Sequence, residues 1–344
     1  MNPYPLLFEP ILLEKVWGGR ELMKLHKPLP DALAIGESWE LADRPDSIAQ
    51  GRSVIANGAL KGQTLREAMS HAEDVILGDG KRSHEGGFPL LIKYLDARGN
   101  LSVQVHPDEA YVEAHPDTHL KSEAWYIIDA EPGALIYKGV DPDCSPEEFA
   151  SHIGTDKVVD DLIAIPARPG DLHYLPSGTC HALGAGIVVA EIQTPSDTTF
   201  RVHDWGRTSR ALHIEPALAC IQFGPGPHNQ TIDAILRQTQ TRIEPIVVEG
   251  TCSEILLSTD FFDIERVRLM HPGRLEIVTN GMPIIWMILE GAGRIDAPGA
   301  HTTPVRRGDT LLLPAGLNDG QAIFDEPTTL LHITLPSPLK GLIA

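Results

Sequence analysis

Four residues with metal-donor side chains are spaced as they would be on neighbouring strands. Gln104-Val105-His106 sits in the alternating stretch 101–107, and Pro107 closes it. Side chains two apart on a strand share a face, so Gln104 and His106 project together. Glu123 follows 17 residues after His106, at the front of the apolar run 124–128. His181 closes the segment PSGTCH (176–181), directly before another strand-like run. Two neutral imidazoles, a carboxylate and an amide oxygen suit a divalent ion such as zinc. A mixed donor set with room for water or substrate is of the catalytic type. Spacing alone leaves a second reading open, with these as core or surface histidines among the chain's 15. Cys180 points away from its neighbour His181 and reads as core. Asp108 reads as the cap of a short helix over 109–115.

A cluster of cations accompanies these donors. Glu191 and Gln193 share a face if 187–193 is a strand. Arg201 and Arg207 follow, and a guanidinium offers the planar fork that matches a phosphate. Lys121 stands two residues before Glu123. Lys93 lies among Leu91, Ile92, Tyr94 and Leu95, and a lysine between apolar neighbours needs a partner or a task. The bland alternative is a solvated set of charges paired with the abundant carboxylates. Other signatures are missing: the chain holds no GxxxxGK[ST], HExxH or GxSxG, which disfavours kinase, zincin protease and esterase chemistry. Gly184-Ala185-Gly186 and Gly291-Ala292-Gly293 lack the rest of a dinucleotide fingerprint and read as tight turns.

The elements that must position these groups are mostly strands. The 344 residues include 31 Gly and 28 Pro, and short apolar runs lie between them at 90–95, 125–128, 134–137, 187–192, 262–269, 284–289 and 310–313. That pattern predicts a mainly β sandwich or barrel. Few helices are expected. Thr64-Leu65-Arg66-Glu67 is a capping box ahead of a run to about residue 77. Ser145-Pro146-Glu147-Glu148 starts a short helix, a second is expected over 157–165, and 231–238 is a fourth candidate.

Composition excludes several partners. There are 28 basic and 47 acidic side chains, a formal net charge of -19. Nucleic acid and anionic lipid both demand a basic face, so neither is expected. A small anionic ligand remains compatible if Lys and Arg gather locally. The four cysteines form no CxxC pair, so neither a zinc ribbon nor a disulfide scaffold is expected, and a reducing cytoplasm is the default. No signal peptide and no bilayer-spanning stretch is read from the chain.

An internal echo suggests two related units. Arg168-Pro169-Gly170-Asp171 runs on to Leu175-Pro176-Ser177-Gly178, and Arg306-Arg307-Gly308-Asp309 to Leu313-Pro314-Ala315-Gly316. The offset is 138 residues at the glycines but 161 at the upstream Trp125 and Trp286. A helical insertion near 145–165 in the first copy reconciles the two offsets. The predicted domains are a metal-binding barrel over 1–240, with insertions near 62–78 and 145–165, and a degenerate barrel over 241–344.

Taken together, the stretches FPLLIKYL (88–95), LSVQVHPD (101–108), KSEAWY (121–126), GTCHAL (178–183) and EIQTPSDTTFR (191–201) resemble type I mannose-6-phosphate isomerase (phosphomannose isomerase) in its short bacterial form, a cupin family. VWGG (16–19) and GESWE (36–40) resemble its N-terminal segments. The resemblance is dense up to about residue 210, while the last third matches only as a second, degenerate barrel. By motif it implies one zinc ion per chain on Gln104, His106, Glu123 and His181, with Arg201 as the active-site arginine. Lys121, Ser102 and Glu191 fall on pocket positions, and Lys93 and Arg207 are expected to contact substrate. The offsets set Glu123 against Ile284 and His181 against Asp319, so no metal is expected in the second barrel. The implied reaction interconverts mannose 6-phosphate and fructose 6-phosphate through an enediol-like intermediate, with Glu191, a pocket lysine or a histidine as base. The implied partner is a small phosphorylated sugar; the sequence does not give the oligomeric state, and a monomer and a weak dimer both stay open. Another cupin metalloenzyme (an epimerase or dioxygenase) and an inactive sugar-phosphate-binding cupin are the alternatives. His203 and Trp205 match the family pattern only loosely.

Overall fold

Four antiparallel sheets account for the short apolar runs. The computed structural model describes residues 2–48, 50–230, 245–248, 250–299 and 302–336. In the first half a six-stranded sheet runs in the order Ile11–Gly19, Ile35–Leu41, Leu91–Ala97, Ile187–Gln193, Glu123–Ala130 and Leu172–Leu175. A five-stranded sheet faces it, in the order Phe200–His203, Val103–Val105, His181–Leu183, Leu135–Val140 and Leu162–Pro166. Trp17, Leu95, Trp125 and Val189 from the first sheet meet Ile136 and Leu183 from the second in one buried cluster. Inward apolar residues of both sheets therefore share an interior, as in a closed β architecture. The second half repeats the plan with sheets of seven and four strands. The protein is mainly β with few helices, a cupin-type fold.

The internal echo is structural. The amide of Gly170 donates to the Ile127 carbonyl at 2.8 Å, and that of Gly308 to the Ile288 carbonyl at 2.7 Å. The amides of Ile127 and Ile288 donate back to the carbonyls of Asp171 and Asp309, both at 2.9 Å. Gly170 and Gly308 have φ of 91° and 88°, the left-handed region where glycine alone is unstrained. Between the paired strands of the first copy stand the helices Pro146–His152 and Lys157–Asp160. Among the described residues, the second copy has the hairpin Ala292–Asp296 and Thr303–Arg306 there and no helix.

Local signals set the helix starts. Thr64 accepts from the Glu67 amide while the Glu67 carboxylate accepts from the Thr64 amide, and the helix runs Leu65–Ile76. Asp108 caps Glu109–Ala114 and Ser145 caps Pro146–His152. The helix expected over 157–165 stops after one turn, at Asp160, and Leu162–Pro166 is a strand. Ile165 pairs with Ile136 on the open edge of the five-stranded sheet. Ladder bonds and a half-buried face there outweigh the residues' weak helix preference. The candidate helix 231–238 and the boundary at 240/241 lie outside the described residues. Chain order and sheet membership part at the N-terminus: Leu6 and Leu7 pair with Leu312 and Leu311 of the second half's sheet.

Candidate active site and metal centre

Strand register brings the donors together. His181 pairs with Gln104, and Gln104 in turn with Arg201, across three neighbouring strands. Cross-strand partners share a face, so all three point into the interior. From the opposite sheet Gln193 pairs with Glu123, and Glu191 with both Trp125 and Lys93. His181 Nε2 lies 3.1 Å from Glu123 Oε1, and His106 Nε2 lies 3.6 Å from Glu123 Oε2. Gln104 Nε2 is 3.4 Å from His181 Nε2. The assignment of amide O and N rests on the hydrogen-bond network, and turning the amide over points Oε1 at the same spot.

The outer contacts of the histidines suit a metal. His106 Nδ1 is 2.9 Å from the Thr198 carbonyl, and His181 Nδ1 is 2.9 Å from the Thr179 carbonyl. A carbonyl only accepts, so each Nδ1 carries a proton, and each Nε2 is the ring atom turned inward, where a neutral ring would present its lone pair to a metal. Burial, then Lys121, pushes His106 down to about 3, which keeps it neutral and able to ligate. Burial opposes ionisation of Glu123, but the Lys121 ammonium beside it outweighs that and holds its carboxyl well below the usual range. Both Glu123 oxygens are buried without a well-directed hydrogen bond, although Lys121 Nζ stands 2.6 Å from Oε2. A buried carboxylate whose lone pairs lack directed donors, facing two inward imidazole nitrogens, fits a divalent ion. His106, Glu123 and His181 form one of two such donor clusters among the described residues, and neither lies in the second half. Ile284, opposite Glu123 in the repeat, is buried core.

A cavity of about 300 Å³ opens beside this cluster. Ser102, Gln104, Lys121, Lys93, Glu191 and Arg201 all line it. Lys93 Nζ lies 3.0 Å from Glu191 Oε1, and Trp125 Nε1 donates to Glu191 Oε2 at 3.0 Å. Burial works against the Lys93 ammonium, but Glu191 and Glu37 outweigh it and raise its pKa. Arg201 donates to the Ala211 carbonyl at 2.9 Å, while its Nε is buried with no partner.

Arg207 is placed differently from the expectation. It is not among the lining residues. Its donors go to Asp204 at 2.7 Å and to the Asn100 carbonyl at 2.8 Å. The buried Asp204 carboxylate also grips Arg210 at 2.5 and 3.0 Å, and Arg210 does line the cavity. Sequence reasoning missed Arg210, Lys15, Glu37 and the tryptophans Trp17 and Trp39. Glu37 and Trp39 carried a signal, since they alternate on one strand. Burial disfavours the Glu37 carboxylate, but Lys93 and Lys15 lower it to about 2. Trp205 donates to the Leu101 carbonyl at 2.5 Å and so anchors the segment that carries Ser102 into the strand Val103–Val105.

With this geometry in hand, relatives are informative. The family model of the type I phosphomannose isomerase catalytic domain matches residues 6–136. A mannose-6-phosphate isomerase of Streptococcus mutans is 34% identical over 322 residues, covering 92% of this chain and 94% of its own. Mannose-6-phosphate isomerase ManA of Bacillus subtilis is 33% identical over 326 residues, covering 93% and 96%. The crystal structure of the Bacillus subtilis mannose 6-phosphate isomerase matches with a TM-score of 0.82 at 28% identity, covering 96% of this chain and 99% of that one.

Proposed function

The chain belongs to the type I mannose-6-phosphate isomerases, and from that premise we propose that it interconverts mannose 6-phosphate and fructose 6-phosphate with one resident zinc ion. The observation that carries this reading is the buried His106–Glu123–His181 cluster set against a cavity lined by cations. Gln104 completes the donor set. When bound, the ion supplies Lewis-acid polarisation of the sugar's C1 and C2 oxygens.

The protein's own groups do the rest. An aldose–ketose exchange takes a proton from one carbon and returns it to its neighbour. An ionised carboxylate only accepts, while a charged lysine only donates. Glu191, held by Lys93 and Trp125, is therefore the proton acceptor, and Lys121 donates towards the oxygen that gains charge. Arg201 stays cationic and stabilises that charge without acting as a base. Ser102 and Lys93 orient the sugar hydroxyls, and Arg210 meets the phosphate.

A coupled assay on mannose 6-phosphate, run before and after chelation with the metal content counted, tests the core of the reading. Activity should vanish with the ion and return with zinc. Undiminished turnover by metal-free protein would overturn it. His181→Ala should lose both ion and activity. Glu191→Gln should keep the ion yet stop exchange of the C2 proton with solvent. Exchange at the wild-type rate in that variant would move the base elsewhere.

A further inference from the structure

We propose that His84, Glu85 and His119 form a second, exchangeable site for a divalent transition-metal ion, separate from the buried centre. Their donor atoms all lie within 4.8 Å of one another. His119 Nε2 stands 3.7 Å from Glu85 Oε1, close to the ~3.4 Å edge of a tetrahedron with donors about 2.1 Å from its centre. The His84 and His119 rings are 4.1 Å apart and tilted by 46°. The pair at the buried centre is 4.9 Å apart and tilted by 51°, so the two imidazole pairs are arranged alike.

The carboxylate is already in place. Arg44, almost wholly buried, holds Glu85 through Nε to Oε2 at 3.0 Å and Nη2 to Oε1 at 3.1 Å. Each carboxylate oxygen has two lone pairs, which leaves Oε1 free to turn one to the histidines. Two imidazoles and one carboxylate favour zinc, cobalt or nickel over magnesium or calcium, which want oxygen shells. The ring of His84 is exposed and that of His119 half-exposed. Water completes the shell, and the cationic Arg44 weakens binding relative to the buried centre.

The position is not remote from the sugar pocket. Arg44 Nη2 is also 3.1 Å from Asp197 Oδ1, and Asp197 lines the cavity. The His119 amide donates to Thr198 Oγ1, and its carbonyl accepts from Ser196 Oγ. The same Thr198 supplies the carbonyl that fixes His106. The second ion would therefore rest on the segment that backs a ligand of the first.

The experiment starts from holoenzyme carrying zinc in the buried centre and adds cobalt(II) as the probe. Bound zinc and cobalt are counted after dialysis, and the visible absorption of four-coordinate cobalt is followed. Wild type should take up one further equivalent below about 1 mM cobalt, with zinc retained. The double variant His84→Gln/His119→Gln should take up none, and Glu85→Gln should weaken uptake at least tenfold. Both variants keep the backbone bonds of 119, and unchanged isomerase activity in the double variant will show it is folded. Equal cobalt uptake in wild type and double variant, or no uptake by wild type, would overturn the proposal. Either result leaves the isomerase reading standing, because that reading is measured separately on the zinc enzyme.

Discussion

One carboxylate, Asp204, holds two arginines, and the proposed phosphate contact falls to one of them. Arg207 and Arg210 both reach Asp204, but only Arg210 also borders the cavity. A charge-assisted hydrogen bond to phosphate contributes about 1.5–3 kcal/mol. Arg210→Ala should therefore raise KM for mannose 6-phosphate about 10- to 100-fold with a smaller change in kcat. Arg207→Ala should raise it less, since its donors are spent on Asp204 and a carbonyl. Steady-state kinetics of the pair decide it, and a larger KM effect in Arg207→Ala would reverse the assignment. The contrast also shows what sequence can carry. Gln104 and His106 were legible as a pair because strand alternation is local, whereas Glu123 and His181 joined them only through the family resemblance. Arg210 was not legible, because the segment after Arg201 leaves the strand at His203 and has no period to read. Both guanidiniums are held by Asp204, and Arg207 is drawn aside by the Asn100 carbonyl, a tertiary partner. Lys15 and Trp17 escaped notice for a related reason: their strand joins the site only through pairing with Ile35–Leu41.

At the scale of elements, the repeated Gly-Asp turn joins strand to strand in both halves, and in the second half its glycine is bound by sterics as well as by φ. A Cβ on Gly308 would stand 2.0 Å from the Leu25 carbonyl, at φ 88°. Gly133 has nearly the same φ, 84°, but nothing within 4 Å of a Cβ. Backbone strain alone costs about 1–2 kcal/mol, so Gly133→Ala should lose about that much in urea titration. Gly308→Ala must also push back the segment at Leu25 and should lose about 3–4 kcal/mol. Equal losses would mean that the close approach at Leu25 relaxes freely. These turns, the capping box at Thr64 and the caps at Asp108 and Ser145 could be read from the chain because each depends on residues within four positions. The strand Leu162–Pro166 could not, because what selects it is the edge offered by Leu135–Val140. The capping signals gave starts, and only packing gave ends.

At the scale of the whole molecule, a net charge of -19 surrounds a pocket that gathers Lys93, Lys121, Arg201 and Arg210, and the two halves meet through apolar and polar contacts. One buried cluster runs without a break from Tyr4 and Leu22 through Tyr94 and Tyr126 to Phe262 and Leu335. Arg266 of the second half donates to the Tyr126 hydroxyl at 3.3 Å and to the Gly170 carbonyl at 3.1 Å. Lys27 Nζ bridges Glu40 and the Gly308 carbonyl, each at 2.6 Å. Trp286 Nε1 donates to His332 Nδ1 at 3.0 Å, repeating the Trp125–Glu191 contact with an imidazole in place of the carboxylate. Burial pushes His332 down to about 4. The unfolded chain takes that proton near pH 6.5 while the folded one refuses it. Stability should therefore fall as pH drops from about 6.5 to 4, by about 2 kcal/mol, and His332→Gln should flatten that stretch of the curve in urea titrations. An unchanged slope would place the acid sensitivity at other buried histidines. Because the core is continuous, unfolding of either half exposes the face of the other. Calorimetry should then show one transition, with calorimetric and van't Hoff enthalpies in agreement. Leu6 tests the coupling from the chain's start: it is fully buried and pairs with Leu312. Leu6→Ala should cost about 2–4 kcal/mol and lower the single transition as a whole. A split into two transitions, with the half that carries His106 and Glu123 unmoved, would show that the barrels fold independently and meet only afterwards.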